Sequence, residues 1–134
     1  MFEKYSDSFL NNFNFDSLLE KFTNKKFLTF KEGEIIFCEN SYIADIYFIL
    51  SGEVNLTKVK NDPDFCFSTA AHSGDILGFY DALTSNEYSS NAVALLNTNV
   101  FAVSKKEFLC FINKNNDFNL WALKYLSRRI EALD

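Results

Sequence analysis

Between residues 26 and 104 no apolar stretch runs far before a turn residue stops it. Short runs rich in Phe, Ile, Val, Tyr and Thr read as strands at Lys26–Phe30, Glu34–Phe37, Ile46–Leu50, Glu53–Val59, Phe65–Ala70, Ser90–Ala94 and Val100–Ser104. Turn signals separate them at Lys31-Glu32-Gly33, Ser51-Gly52, Asn61-Asp62-Pro63-Asp64 and Ser73-Gly74. Many short strands at close spacing point to a small β barrel or jelly roll, an architecture that limits open sheet edges. The chain has only 4 glycines, and three of them, Gly33, Gly52 and Gly74, each end a candidate strand. The fourth, Gly78, follows Asp75-Ile76-Leu77.

Helical periodicity flanks the strands. Phe9, Phe13, Leu18, Leu19 and Phe22 predict a helix over 8–23, with Asp7 or Ser8 to cap it. Lys105–Asn113 predicts a short helix, with Ser104 as N-cap and Glu107 three residues on, a capping-box pattern. A longer helix is expected from Asp117 to the end. On it Leu123, Leu126, Ile130 and Leu133 follow a heptad spacing, which suits either packing on the chain's own barrel or a homodimer seam. The pattern stops at Leu133-Asp134 without a Gly cap or Pro, and the expectation is a piece of a longer protein.

The 134 residues suit one domain: a helical part over 1–25, the β-rich part over 26–104 and C-terminal helices over 105–134. Hydrophobic residues make up 48% of the chain, 16 of them Phe, which is ample for a core. The net charge of −5, with only the pairs Lys25-Lys26 and Arg128-Arg129, argues against nucleic-acid binding by this chain itself. Cys38, Cys66 and Cys110 are scattered and odd in number, so they are read as buried free thiols in a reducing cytosol rather than as disulfides or a zinc site. Neither a signal peptide nor a membrane span is visible, and the expected location is cytoplasmic. His72, the single histidine, is expected on the surface beside the Ser73-Gly74 turn; no second His is present to build a metal triad with it. Ser73, His72 and Asp75 lie too close in one turn for triad geometry, and Glu32 and Glu34 flank another turn and point outward. No Gly-x-Ser-x-Gly elbow and no Gly-rich phosphate loop occur, so the chain is not expected to be an enzyme.

Several segments, in order, resemble the cyclic-nucleotide-binding domain of CRP/FNR-type transcriptional regulators. They are Phe30-Lys31-Glu32-Gly33-Glu34-Ile35-Ile36-Phe37, the run from Ile43 through Ser51-Gly52-Glu53-Val54, Ser73-Gly74-Asp75-Ile76-Leu77-Gly78, Ala92-Val93-Ala94, and Val100 to Ser104 with Glu107-Phe108. The resemblance covers roughly residues 20–134. It implies a mainly β fold with flanking helices, a double-stranded β-roll followed by a C-terminal dimerisation helix. It also implies a small-molecule pocket in the roll and, in regulators, a following helix-turn-helix module that is not in this sequence.

The ligand loop departs from the family pattern. In nucleotide-binding members the glycine matching Gly78 precedes a Glu that accepts hydrogen bonds from the ribose; here Phe79 follows. The family's phosphate-pairing Arg falls on Tyr88, or on Ser89 if the loop shifts by one, and residues 77–96 hold no Arg or Lys. Burying a cyclic phosphate without a cation is costly. Backbone N–H groups near Gly78 and the Ser89 and Ser90 hydroxyls could still hold an anion, more weakly. The positions that reach the ligand base in the family fall near Leu133 and Asp134, and Leu133 offers no polar contact. The expected pocket lining is therefore Gly78, Phe79, Tyr80, Tyr88, Ser89 and Ser90, with Leu133 closing it, and a cyclic nucleotide is a doubtful ligand. The leading expectation is the effector-sensing domain of a CRP/FNR-type regulator, reaching DNA only through the absent module. The alternative is a stand-alone interaction module of the same fold with a degenerate pocket, and a space filled by packed Phe79 and Tyr88 would favour it.

Overall fold

The computed structural model describes residues 20–59 and 66–115, together with Asn119, Leu123 and Ser127. In chain order the elements are β1 (Lys26–Phe30), β2 (Ile35–Phe37), β3 (Asp45–Ser51), β4 (Glu53–Val59), β5 (Cys66–His72), β6 (Ile76–Leu77), α1 (Phe79–Thr84), β7 (Asn91–Ala94), β8 (Thr98–Ser104) and α2 (Lys105–Lys114).

The strands form two antiparallel sheets, ordered β1-β8-β3-β6 and β2-β7-β4-β5. Consecutive strands change sheet at every connection except β4 to β5, where Glu53 lies opposite His72 and Val59 opposite Cys66. The chain thus winds both sheets at once, and the fold is the expected β-roll. Gly52 makes one of these crossings possible. Its φ is 106°, and a Cβ there would lie 2.6 Å from Thr98 Cα, 2.7 Å from the Asn97 carbonyl oxygen and closer still to Thr98 Oγ1. Thr98 is itself buried, its hydroxyl donating to the Leu96 carbonyl at 2.9 Å and accepting the Glu53 N–H at 3.2 Å.

Side-chain alternation along β3 gives the first sheet two covered faces. Ile46 and Phe48 are fully buried on the helix side, where Phe48 stacks on Phe101 with centroids 4.4 Å apart. Phe22 sits 5.6 Å from Phe48 and 4.8 Å from Phe111, and Phe108 lies 6.1 Å from Phe48. Tyr47 turns the other way, toward Phe37 of the second sheet at 6.0 Å. Each buried ring of this kind contributes roughly 1.5–3 kcal/mol through area removed from water.

The long alternating strands fall where the pattern puts them, and Lys26–Phe30 and Glu53–Val59 match residue for residue. Two elements were invisible to periodicity: β6 has 2 residues and α1 has 6, each too short to show a repeat. α2 ends one residue beyond its expected terminus, and its capping box is half made. Ser104 Oγ accepts the Glu107 N–H at 3.1 Å. The Glu107 carboxylate does not return to Ser104; Oε1 accepts from Thr23 N–H at 2.9 Å, Thr23 Oγ1 at 3.2 Å and Asn24 N–H at 3.4 Å. Ser104 is still in register with Asp45 as the last residue of β8, and the N-terminal segment competes for the carboxylate.

Of the helix expected over 8–23, Glu20 and Lys21 are helical and the part before Glu20 lies outside the described residues. Asn119, Leu123 and Ser127 are helical, as expected from Asp117 onward, while Leu126, Ile130 and Leu133 lie outside. The reading of the cysteines as buried is corrected: Cys38 and Cys110 are free and exposed. Cys38 follows buried Phe37 just past the end of β2, and Cys110 faces away from the side of α2 that buries Phe108 and Phe111. The Cys66 side chain lies outside the described residues. His72 is exposed, its Nδ1 4.0 Å from Glu53 Oε1.

Candidate functional site

The loop from Gly78 to Ser90 connects β6 to β7 and contains α1. It leaves β6 through Gly78, at φ 85°, where a Cβ would come within 3.2 Å of Tyr88 Cε1 and 3.5 Å of Ile46 Cδ1. The absence of a side chain there lets the Tyr88 ring close against the backbone.

Tyr88 is held from all sides. Its N–H donates to the Ser41 carbonyl at 3.0 Å, and its carbonyl accepts the Asn40 N–H at 2.8 Å. The ring is 3% exposed and lies on Phe37 with centroids 3.9 Å apart and planes 8° from parallel. The phenol donates to the Asp45 carbonyl at 2.6 Å. Through Phe37 the stack continues to Tyr47, which meets Phe30 edge-on at 6.2 Å, so a file of aromatic rings joins the two sheets at this end of the roll. Burial pushes the Tyr88 phenol well above its ordinary range, with the neighbouring Tyr47 adding in the same direction. Burial likewise raises Tyr47, helped by the Asp45 carboxylate and opposed by a hydrogen bond with Tyr88.

The other residues expected around the pocket divide. Phe79 is 1% exposed and meets Phe108 of α2 edge-on at 5.1 Å, so it joins the core between the loop and the exit helix. Tyr80, one position on, is 51% exposed. Ser89 and Ser90 are half-buried, and Leu133 lies outside the described residues. Leu123 of the expected seam is 64% exposed. The end of the loop is tied to α2 a second time by Lys105, whose Nζ donates to the Ser85 carbonyl and to Asn86 Oδ1, each at 3.1 Å.

Sequence reasoning missed one residue here. Asp81 is only 7% exposed, and its Oδ2 accepts the Ser89 N–H at 3.0 Å. The sequence did carry a signal for it: an acid inside a long segment with no Lys or Arg, where the family pattern leads one to look for a cation.

The loop thus combines a positive-φ glycine, a short helix and a tether to α2, with the buried Tyr88 ring packed on Phe37 beneath it. Comparison with known proteins finds the same fold. The catabolite activator protein of Thermus thermophilus superposes with a TM-score of 0.75 at 18% identity, over 92% of this chain and 58% of that one. A transcriptional regulator from Thermotoga maritima superposes with a TM-score of 0.71 at 21% identity, over 86% of this chain and 90% of that one. At these identities the likeness is one of fold. Among curated proteins, lysophospholipase NTE1 of Kluyveromyces lactis is 39% identical over 76 residues, 52% of this chain but 5% of that protein's length. The sequence profile of the cyclic nucleotide-binding domain matches residues 27–115, and the chain belongs to that family.

Proposed function

We propose that this chain is a regulatory module of the cyclic-nucleotide-binding fold that works without a cyclic nucleotide. The observation that carries the reading is Tyr88: the family's phosphate-pairing Arg falls on Tyr88 or Ser89, and Tyr88 is a buried phenol, stacked on Phe37 and hydrogen-bonded to the Asp45 carbonyl. A cyclic nucleotide would have to displace that ring, lose its hydrogen bond and then bury a phosphate with no cation from residues 77–96. What remains serviceable is the mechanical part. Phe79–Phe108 and Lys105 bind the loop to α2, so a shift of either is felt by the other and by the helix beyond. The module spans the chain as one domain, acts in the cytoplasm without catalysis, and pairs as a homodimer through Leu123, Leu126, Ile130 and Leu133.

Titration calorimetry with cyclic AMP and cyclic GMP tests this. No heat of binding and no rise in melting temperature are expected at millimolar nucleotide. Micromolar binding of either would overturn the reading.

A second reading is favoured by the regulator from Thermotoga maritima, which the chain follows over most of both lengths. On that reading the module is the effector domain of a CRP/FNR-type transcriptional regulator, taking up a different small molecule and controlling a DNA-binding module elsewhere in the protein. The reading frame around the chain distinguishes the two: a helix-turn-helix following Asp134 supports the regulator, and a different neighbouring domain removes it.

A further inference from the structure

The Ser89 N–H is the kind of donor that could hold an anion in this loop, and it is already engaged. Asp81, on α1, folds back so that its carboxylate accepts that N–H at 3.0 Å while the side chain is almost wholly removed from water. Residues 77–96 supply no Lys or Arg to offset a second negative charge beside it, and the Lys105 ammonium is directed to Ser85 and Asn86. Like charges at contact distance in a partly buried site repel strongly. A carboxylate also matches a phosphate in what it asks of a backbone N–H, a charged oxygen at hydrogen-bond distance.

We propose that Asp81 is the loop's own resident anion: it occupies the Ser89 N–H in place of a ligand oxygen, so the site rejects phosphate-bearing and other anionic molecules and admits at this point only neutral or cationic groups. This rests on the reading of the loop as one that does without cyclic nucleotide, and deepens it. Tyr88 occupies the volume, and Asp81 occupies the donor and sets the sign of the charge.

The test follows the Ser89 amide by nitrogen–proton NMR during titration with inorganic phosphate, in the wild-type chain, Asp81→Ala and Asp81→Asn. The wild-type amide is expected to stay still at millimolar phosphate, and Asp81→Ala to move it saturably, with affinity at least about ten-fold higher than any wild-type response. Asp81→Asn keeps an oxygen for the Ser89 N–H and loses only the charge, so it should fall between the two. It also carries the test if the alanine variant does not fold. A wild-type response equal to that of the variants overturns the proposal, as does the absence of a response in every folded variant. Failure of the wider reading looks different: the unaltered chain would then bind cyclic AMP whatever phosphate does at Ser89.

Discussion

The Tyr88 ring lies flat on Phe37, centroids 3.9 Å apart, although the two residues come from the loop between β6 and β7 and from a strand of the second sheet. One side chain thereby fastens the loop to the roll and takes up interior space. Truncating it should be costly. Tyr88→Ala is expected to lose about 3–4 kcal/mol of stability, as for other buried aromatic rings cut to a methyl group. Tyr88→Phe keeps the stack and loses the bond to the Asp45 carbonyl, at about 1 kcal/mol. Urea unfolding of the two variants measures both. An alanine variant no less stable than the phenylalanine variant would show that the ring packs against nothing that matters.

The same phenol should make the fold sensitive to alkali. Its folded value lies above the ordinary 10.0 because burial disfavours the phenolate. Below pH 10 both folded and unfolded chains keep the proton, and the contribution is whole. As pH rises past that value the unfolded chain releases the proton and the folded chain holds it, so stability falls, at up to about 1.4 kcal/mol per pH unit for this one group. Urea midpoints between about pH 8 and pH 11 should drop for the wild type and drop less steeply for Tyr88→Phe. Parallel curves would remove Tyr88 from the explanation.

Strands such as Glu53–Val59 were legible because alternation is local: each residue's neighbours in the sequence reveal which face it takes. The partners were not legible. β1 pairs with β8 across most of the chain, and nothing in Lys26–Phe30 names Thr98–Ser104 as its mate. The family pattern drew attention to Tyr88 and Ser89, but the stacking of Tyr88 on Phe37 depends on the roll bringing separate parts of the chain together. Asp81 was passed over because an acid in a short, aperiodic stretch reads as solvated surface. Only the fold shows it turned inward to Ser89. The cysteines erred the other way, since a general tendency of free thiols toward burial gave way to where β2 and α2 place Cys38 and Cys110.

Gly52 should tolerate no side chain. An alanine there would bring its Cβ to 2.6 Å from Thr98 Cα, which is backbone and cannot swing aside, on a residue already at φ 106°. The turn carries the chain from one sheet to the other, so relaxing the clash means parting Glu53 from Thr98. Gly52→Ala is expected to cost about 3 kcal/mol or more, or to prevent folding, read as a loss of soluble protein or of melting temperature. A variant within about 0.5 kcal/mol of wild type would mean that the β3–β4 crossing is far looser than its geometry.

Glu107 offers the most discriminating substitution at the exit of the roll. Its Oε1 gathers two backbone N–H groups and a hydroxyl from Thr23 and Asn24, and buried Phe22 immediately precedes them. The carboxylate thus pins the segment that delivers Phe22 to Phe48 and Phe111. Removing it in Glu107→Ala should cost about 1.5 kcal/mol, the usual range for hydrogen bonds to a charged acceptor. Glu107→Gln retains an oxygen in the same place and loses only the charge, so it should cost about half as much. Amide hydrogen exchange at Thr23 and Asn24 locates the effect. Protection there should fall in the alanine variant while that of β3 and β8 changes only with global stability. A uniform fall across the sheet, with no excess at residues 23 and 24, would mean that Glu107 acts on α2 alone and that the N-terminal segment is held by its phenylalanine.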